Sequence, residues 1–245
     1  ESPSTSTGRT EVKYQEITGI KPLSCSQFYG RLGLKIRHIF DTKMLSGVLY
    51  EVDLRLRPNG DSGLLVTHIG IYEDYLKDQA WTWEHQALVR GRFIAGDVRL
   101  KEQFDGIRRR ILALSRDKAQ LKTEVREMRE KMRDALVAKT SGQFDLKQGK
   151  GGIADIEFLV QFLILANATK ISDLSEFTDN VRQLQALAQH GIINQAEADT
   201  LKTAFCTYRD IGHKQVLQGD KALIDVEAVA GLREQVEGIW ARLME

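Results

Sequence analysis

Apolar and polar side chains alternate from Val48 to Arg57. Val48, Tyr50, Val52, Leu54 and Leu56 share one face, and Leu49, Glu51, Asp53, Arg55 and Arg57 share the other. A period of two predicts a half-buried strand over residues 48–57. Pro58, Asn59, Gly60, Asp61, Ser62 and Gly63 stop it in a turn, and Leu64, Leu65 and Val66 predict a short return strand. Elsewhere the period is helical. Phe28, Leu32, Ile36 and Ile39 recur at helical spacing behind Ser26, a candidate N-cap. Ile69, Tyr72 and Leu76 define a helix over 68–76, and residues 81–94 another, with Trp81, Leu88 and Phe93 as core candidates and Trp83 also read as core.

From about residue 98 nearly everything reads as helix. Val125, Met128 and Met132 form the stripe of a long one over about 117–139, and more follow near 153–168, 175–189, 194–218 and 225–243. No proline follows Pro58, so Gly142, Gly149, Gly151, Gly152, Gly191 and Gly219 supply the breaks. The organisation expected is α+β: a polar arm over 1–24, a small unit with few strands over 25–100, and a helical unit over 101–245. One helix and two strands cannot bury their apolar faces alone, so the helical unit covers them or further strands lie outside this sequence.

Composition narrows the class. Of 245 residues 42% are hydrophobic and 28% charged, ordinary for a soluble globular protein. A net charge of +1, from 35 basic and 34 acidic residues, argues against a surface that coats nucleic acid. Cys25 and Cys206 lack a pairing motif, as suits a reducing cytoplasm. No apolar run reaches membrane-spanning length and no signal peptide is read. The five histidines are scattered, so zinc is not expected.

The candidate chemistry starts at Asp53. A carboxylate is a hard ligand for Mg²⁺, and the forks of Arg55 and Arg57 on the same strand face match phosphate oxygens. The ordinary alternative is a solvated charged face with local ion pairs. Glu51 shares the face but sits deeper. The 59–63 segment is a turn whose amides could also approach a phosphate. Gly149, Lys150, Gly151 and Gly152 precede the helix at Ile153, with Lys147 nearby. This end either receives an anion or is a tightly packed joint, with Asp155 offsetting the helix dipole. Asp155 and Glu157, two apart, do not share a helix face; Glu157 and Gln161 do. Lys122, Arg126, Arg129 and Arg133 share a face of the long helix, as a solvated surface or a basic stripe for a partner.

Four stretches then point further: YEVDLRLRPNGDSGLLVT (50–67), AWTWEHQALVRGR (80–92), TEVREMREKMR (123–133) and GKGGIADIEFLVQ (149–161). In this order they resemble the C-terminal, adenylyl-transferring half of the bifunctional glutamine synthetase adenylyltransferase/adenylyl-removing enzymes, from about Phe28 to the C-terminus. The resemblance implies a partial nucleotidyltransferase palm followed by a helical domain. It also implies transfer of AMP from ATP to a tyrosine of glutamine synthetase, with Mg²⁺. Asp53 would be catalytic and a metal ligand, and Arg55, Arg57, Lys150 and Glu157 would bind nucleotide. Glutamine synthetase would be the protein substrate, with P-II signalling protein and glutamine as regulators and no nucleic acid or membrane partner. The family's Gly-Ser…Asp-x-Asp strand does not precede Asp53 here. The resemblance thus makes Asp53 the third carboxylate of a site whose first two are absent, and makes this polypeptide inactive alone. Two alternatives stay open: the phosphorolytic, AMP-removing half of the same enzyme, and a non-catalytic helical module over 101–245 that docks glutamine synthetase or a regulator.

Overall fold

The computed structural model describes residues 16–17, 23–137 and 142–245. The arm expected over 1–24 lies almost wholly outside them. The described residues are mostly helical with few strands, an α+β chain. They fall into two compact units, one ending at Tyr72 and one running from Glu73 to Glu245.

In the first unit, β1 (Glu16–Ile17) pairs antiparallel with β2 (Leu23–Ser24), and α1 (Cys25–Asp41) follows directly. Ser24, not Ser26, caps α1. Its hydroxyl accepts from the Gln27 amide while the Gln27 side chain returns to the Ser24 amide, a reciprocal capping box. The stripe of α1 is where the pattern predicts, yet no residue of α1 is buried. Phe28, Leu32, Ile36 and Ile39 stay 38% to 53% exposed.

The strand expected over 48–57 is absent, and so is the return strand at 64–66. A strand is held by its neighbours' amides and carbonyls, and no described segment ladders with this one. Apart from Tyr50 N–H, which donates to Phe40 O at 3.3 Å, the backbone bonds of this segment are local. Arg57 N–H donates to Leu54 O at 3.4 Å and Gly60 N–H to Arg57 O at 2.8 Å. A short 3₁₀ turn then runs from Gly60 to Ser62. Gly63 closes it where a side chain could not, since a Cβ there would lie 1.8 Å from the Pro58 carbonyl oxygen.

The second unit begins within α2 (Ile69–Asp78) and continues through α3 (Thr82–Arg90), α4 (Val98–Leu112) and α5 (Lys118–Leu136). β3 (Gln143–Asp145) leads to α6 (Ile153–Asn167), α7 (Asn180–Gln189) and α8 (Gln195–Gln218). β4 (Leu223–Asp225) and α9 (Ala230–Met244) complete it. α6 is the axis of this unit, touching α3, α5, α7, α8 and α9. It is apolar over most of its surface, as an enclosed helix is, with Asp155, Glu157 and Gln161 as polar interruptions. Trp81, expected in the core, is 71% exposed at the start of α3, and Trp83 is half-buried. β3 and β4, unread from the sequence, pair antiparallel with Phe144 opposite Ile224 and bring Phe144 against Tyr208 on α8.

Candidate functional site

Asp53, Arg55 and Arg57 come together in the first unit, around a cleft of about 640 Å³ that Arg37 from α1 and Glu51 also line. The side chain of Asp53 folds onto its own chain. Its Oδ1 accepts from the Arg55 amide at 2.9 Å and from Arg55 Nε at 3.0 Å, and its Oδ2 from Arg55 Nη2 at 2.6 Å. This Asx-type closure satisfies an amide that a ladder would otherwise use, and is how aspartate competes with extended structure. The arginine hydrogen bonds hold the Asp53 carboxyl down to about 2. Both side chains are more than half exposed, so the pair adds at most about 1 kcal/mol to stability. Arg57 turns inward, donating to Leu54 O at 2.7 Å and Gly63 O at 3.4 Å, and so pins the 54–63 loop. Arg37 pairs with Asp41 one turn along α1.

The cleft is rich in guanidinium and poor in carboxylate. It offers Glu51 and an Asp53 already engaged by Arg55 against Arg37, Arg55 and Arg57. Among the described residues no three acids, histidines or cysteines gather as a metal cage. The donor set of this chain does not fit a Mg²⁺ site by itself. It does suit an anion, because arginine forks are planar, permanently charged and matched to phosphate oxygens.

Lys150 and Glu157 lie in the second unit, at the start of α6. Glu157 is ion-paired with Arg90 of α3, and Lys150 is 4.0 Å from Glu237 of α9. The glycine-rich entry to α6 is closed by its own loop. Gly152 N–H donates to Gly149 O at 3.0 Å, Ile153 N–H to Leu146 O at 2.9 Å and Ala154 N–H to Lys147 O at 3.0 Å. Gly151 N–H donates to Asp155 Oδ2 at 2.8 Å. The amides that would greet an anion at this helix end are therefore engaged. Gly151 has φ +79° and passes so near α9 that a Cβ would lie 2.9 Å from the Arg233 carbonyl oxygen, which accounts for glycine there by packing.

The basic stripe of α5 also has a different role at its centre. Arg129 is fully buried, its Nε 2.6 Å from Asp155 Oδ1, while its Nη2 donates to Gln148 O at 2.8 Å. Arg133 adds a second guanidinium on Asp155 at 2.9 Å. One carboxylate thus gathers α5, the Gly149–Gly152 loop and α6. The sequence does carry a signal for this: an acid in the first turn of an otherwise apolar helix, and an arginine four residues from Val125 on α5. Arg108, likewise missed, is buried on α4 at helical spacing from Ile111 and Leu112.

Comparison with known proteins accords with these observations. Residues 10–107 match the family described as glutamate-ammonia ligase adenylyltransferase, and residues 119–222 match that of GlnD PII-uridylyltransferase. The bifunctional glutamine synthetase adenylyltransferase/adenylyl-removing enzyme of Methylococcus capsulatus is 47% identical over 227 residues, 93% of this chain. Those named likewise in Nitrosococcus oceani and Shewanella woodyi are 48% and 44% identical over 93% and 94% of it. The chain is thus similar to the glutamine synthetase adenylyltransferases along nearly its whole length. It spans about 24% of the length of the Methylococcus and Shewanella relatives. The Asp53 cleft lies within the residues that match the adenylyltransferase family, and the Asp155 cluster within those that match the uridylyltransferase family.

Proposed function

We propose that this chain is part of an enzyme that transfers AMP from ATP to a tyrosine of glutamine synthetase, and that it comes from the transferring half. The observation that carries this reading is the 47% identity, over 93% of the chain, to a protein named as a bifunctional glutamine synthetase adenylyltransferase/adenylyl-removing enzyme. Residues 25–100 are part of the palm and residues 101–245 the helical domain. The tyrosine oxygen attacks the α-phosphorus of ATP in line. The new O–P bond forms as the bond to pyrophosphate breaks, and the tyrosine proton passes to a base. The arginines of the Asp53 cleft, Arg55 and Arg57 with Arg37, neutralise phosphate charge as it shifts to the leaving group. Lys150 and Glu157 contribute to nucleotide binding through the second unit. Asp53, released from Arg55, would supply one carboxylate to a Mg²⁺ ion, whose charge would offset that of the phosphates. Glutamine and P-II protein act as regulators of the whole enzyme.

The test is AMP incorporation into glutamine synthetase by a chain of the relatives' length, with and without Asp53→Asn. A loss of at least about 100-fold is expected for a group that acts on the transition state. Unchanged transfer, with AMP removal by phosphate lost instead, would assign the segment to the removing half. Unchanged activity in both directions would leave the reading of residues 101–245 as a docking module.

A further inference from the structure

A second cleft, of about 320 Å³, opens in the second unit among the end of α3, α4 and the segment before α7. Four cationic side chains line it: Arg92, Lys101, Arg108 and Arg109. Against them stand two carboxylates, Asp105, which Lys101 already neutralises at 2.6 Å, and Glu176. The adenylyl-transfer reading uses none of these six.

Arg108 is the unusual member. It is 4% exposed, and its guanidinium is coordinated by carbonyls alone. Nε donates to Leu88 O at 3.1 Å, Nη2 to Val89 O at 2.6 Å and to Phe177 O at 3.1 Å, and Nη1 to Ser175 O. Among the described residues no carboxylate pairs with it. A buried charge normally takes a counter-ion, because carbonyl dipoles screen it without cancelling it. Burial pushes its pKa down to about 10, against the partial pull of Asp105 nearby. Beside it, Arg109 spends one donor on the Asp105 carbonyl at 3.3 Å, and Arg92 has no partner among the described residues. Both are exposed, and so keep guanidinium donors for an incoming group.

We infer that this cleft binds a phosphate-class oxyanion, free or as the terminal group of a larger ligand, held by Arg92 and Arg109 beside the buried Arg108. Two forks converging on one anion give charge-assisted bonds at a geometry that lysine points cannot supply. The anion also provides the negative charge that Arg108 lacks. The inference does not depend on adenylyl transfer, since it concerns binding by this chain without turnover.

Calorimetric titration of the chain with inorganic phosphate, and separately with ATP, at constant ionic strength tests it. Arg92→Ala with Arg109→Ala is compared with Lys214→Ala plus Arg242→Ala, which removes the same charge from α8 and α9. Both pairs change exposed side chains, so the fold is retained. The expected result is saturable binding weakened at least about tenfold by the first pair and by less than about twofold by the second. Binding of phosphate itself identifies a free anion, and binding of ATP alone identifies a terminal phosphate group. The inference is overturned if neither probe binds, if the first pair binds as the unaltered chain does, or if the two pairs lose equally.

Discussion

α1 is amphipathic, α6 is apolar over most of its surface, and the two end in opposite environments. α1 buries none of its residues, whereas α6 buries ten, two of them polar. The acids follow the same division. Asp53 pairs with an arginine two residues away and stays in solvent. Asp155 reaches a buried Arg129 at a sequence separation of 26. An amphipathic pattern gives a segment an appetite for burial, and satisfying it requires a second surface. A local ion pair needs only a turn, but a distant one needs the whole unit to be assembled. The first unit's polar contacts therefore cost little to rearrange. Those of the second unit are costly, as suits a frame.

Four changes sharpen or break that contrast. The largest effect is expected from Asp155→Ala, which strands the buried Arg129 guanidinium and should cost about 3–5 kcal/mol in urea unfolding, where Asp53→Ala costs under about 1 kcal/mol. Equal losses at the two positions would erase the distinction. Next, Leu159→Ala in α6 should cost about 2–5 kcal/mol through the cavity it leaves, and Leu34→Ala in α1 under about 0.5 kcal/mol. If Leu34 proved as costly as Leu159, the exposure of α1 would be the wrong picture of it.

The third is a pH effect confined to the second unit. His85 Nε2–H donates to Leu76 O at 2.7 Å, and its Nδ1 faces Arg116 Nη2 at 3.3 Å. Burial is the main reason its pKa falls below the ordinary 6.5. The folded state thus prefers the neutral ring. Its contribution is complete above pH 6.5 and is lost as pH falls toward the lower folded value. Urea midpoints measured between pH 7.5 and 5 should drop in the unaltered chain, and less steeply in His85→Gln; parallel slopes would rule His85 out. The smallest effect is at Asp53. Its carboxyl should titrate near 2 by NMR, returning toward 3.8 in Arg55→Ala. Because the folded value is depressed, the Asp53 contribution is full above pH 3.8 and fades as pH drops through 2. A carboxyl that titrates alike in both proteins would mean the pair does not persist in solution.

The helices of the second unit were legible because each has several turns of one period. The pattern placed α5 from 117 and the structure starts it at Lys118, and α6 begins at Ile153 in both. Residues 48–57 read as a strand for a reason that still holds, since the alternation is there. A strand also needs a neighbour, and no pattern within one segment reports whether the neighbour exists. The cleft was legible in part. Asp53, Arg55 and Arg57 were named from the strand face and do line one cavity, although a turn rather than a strand brings them together. Arg37 went unnoticed because it lies on a helix whose polar face offers no special spacing.

Asp155 marks the boundary between the two kinds of information. Chain-local physics specifies where helices start, which faces are apolar, which glycines interrupt them and that an acid opens α6. These follow from hydrogen bonds and steric limits spanning a few residues. Burial, by contrast, depends on which surfaces meet. Arg129 looks like any solvated arginine of a long helix until α5 packs against α6 and encloses it. Arg108 looks like one of several basic residues on α4 until the carbonyls of Leu88, Val89, Ser175 and Phe177 close around it. Desolvation is set by every atom within reach, and only the assembled unit determines which atoms those are.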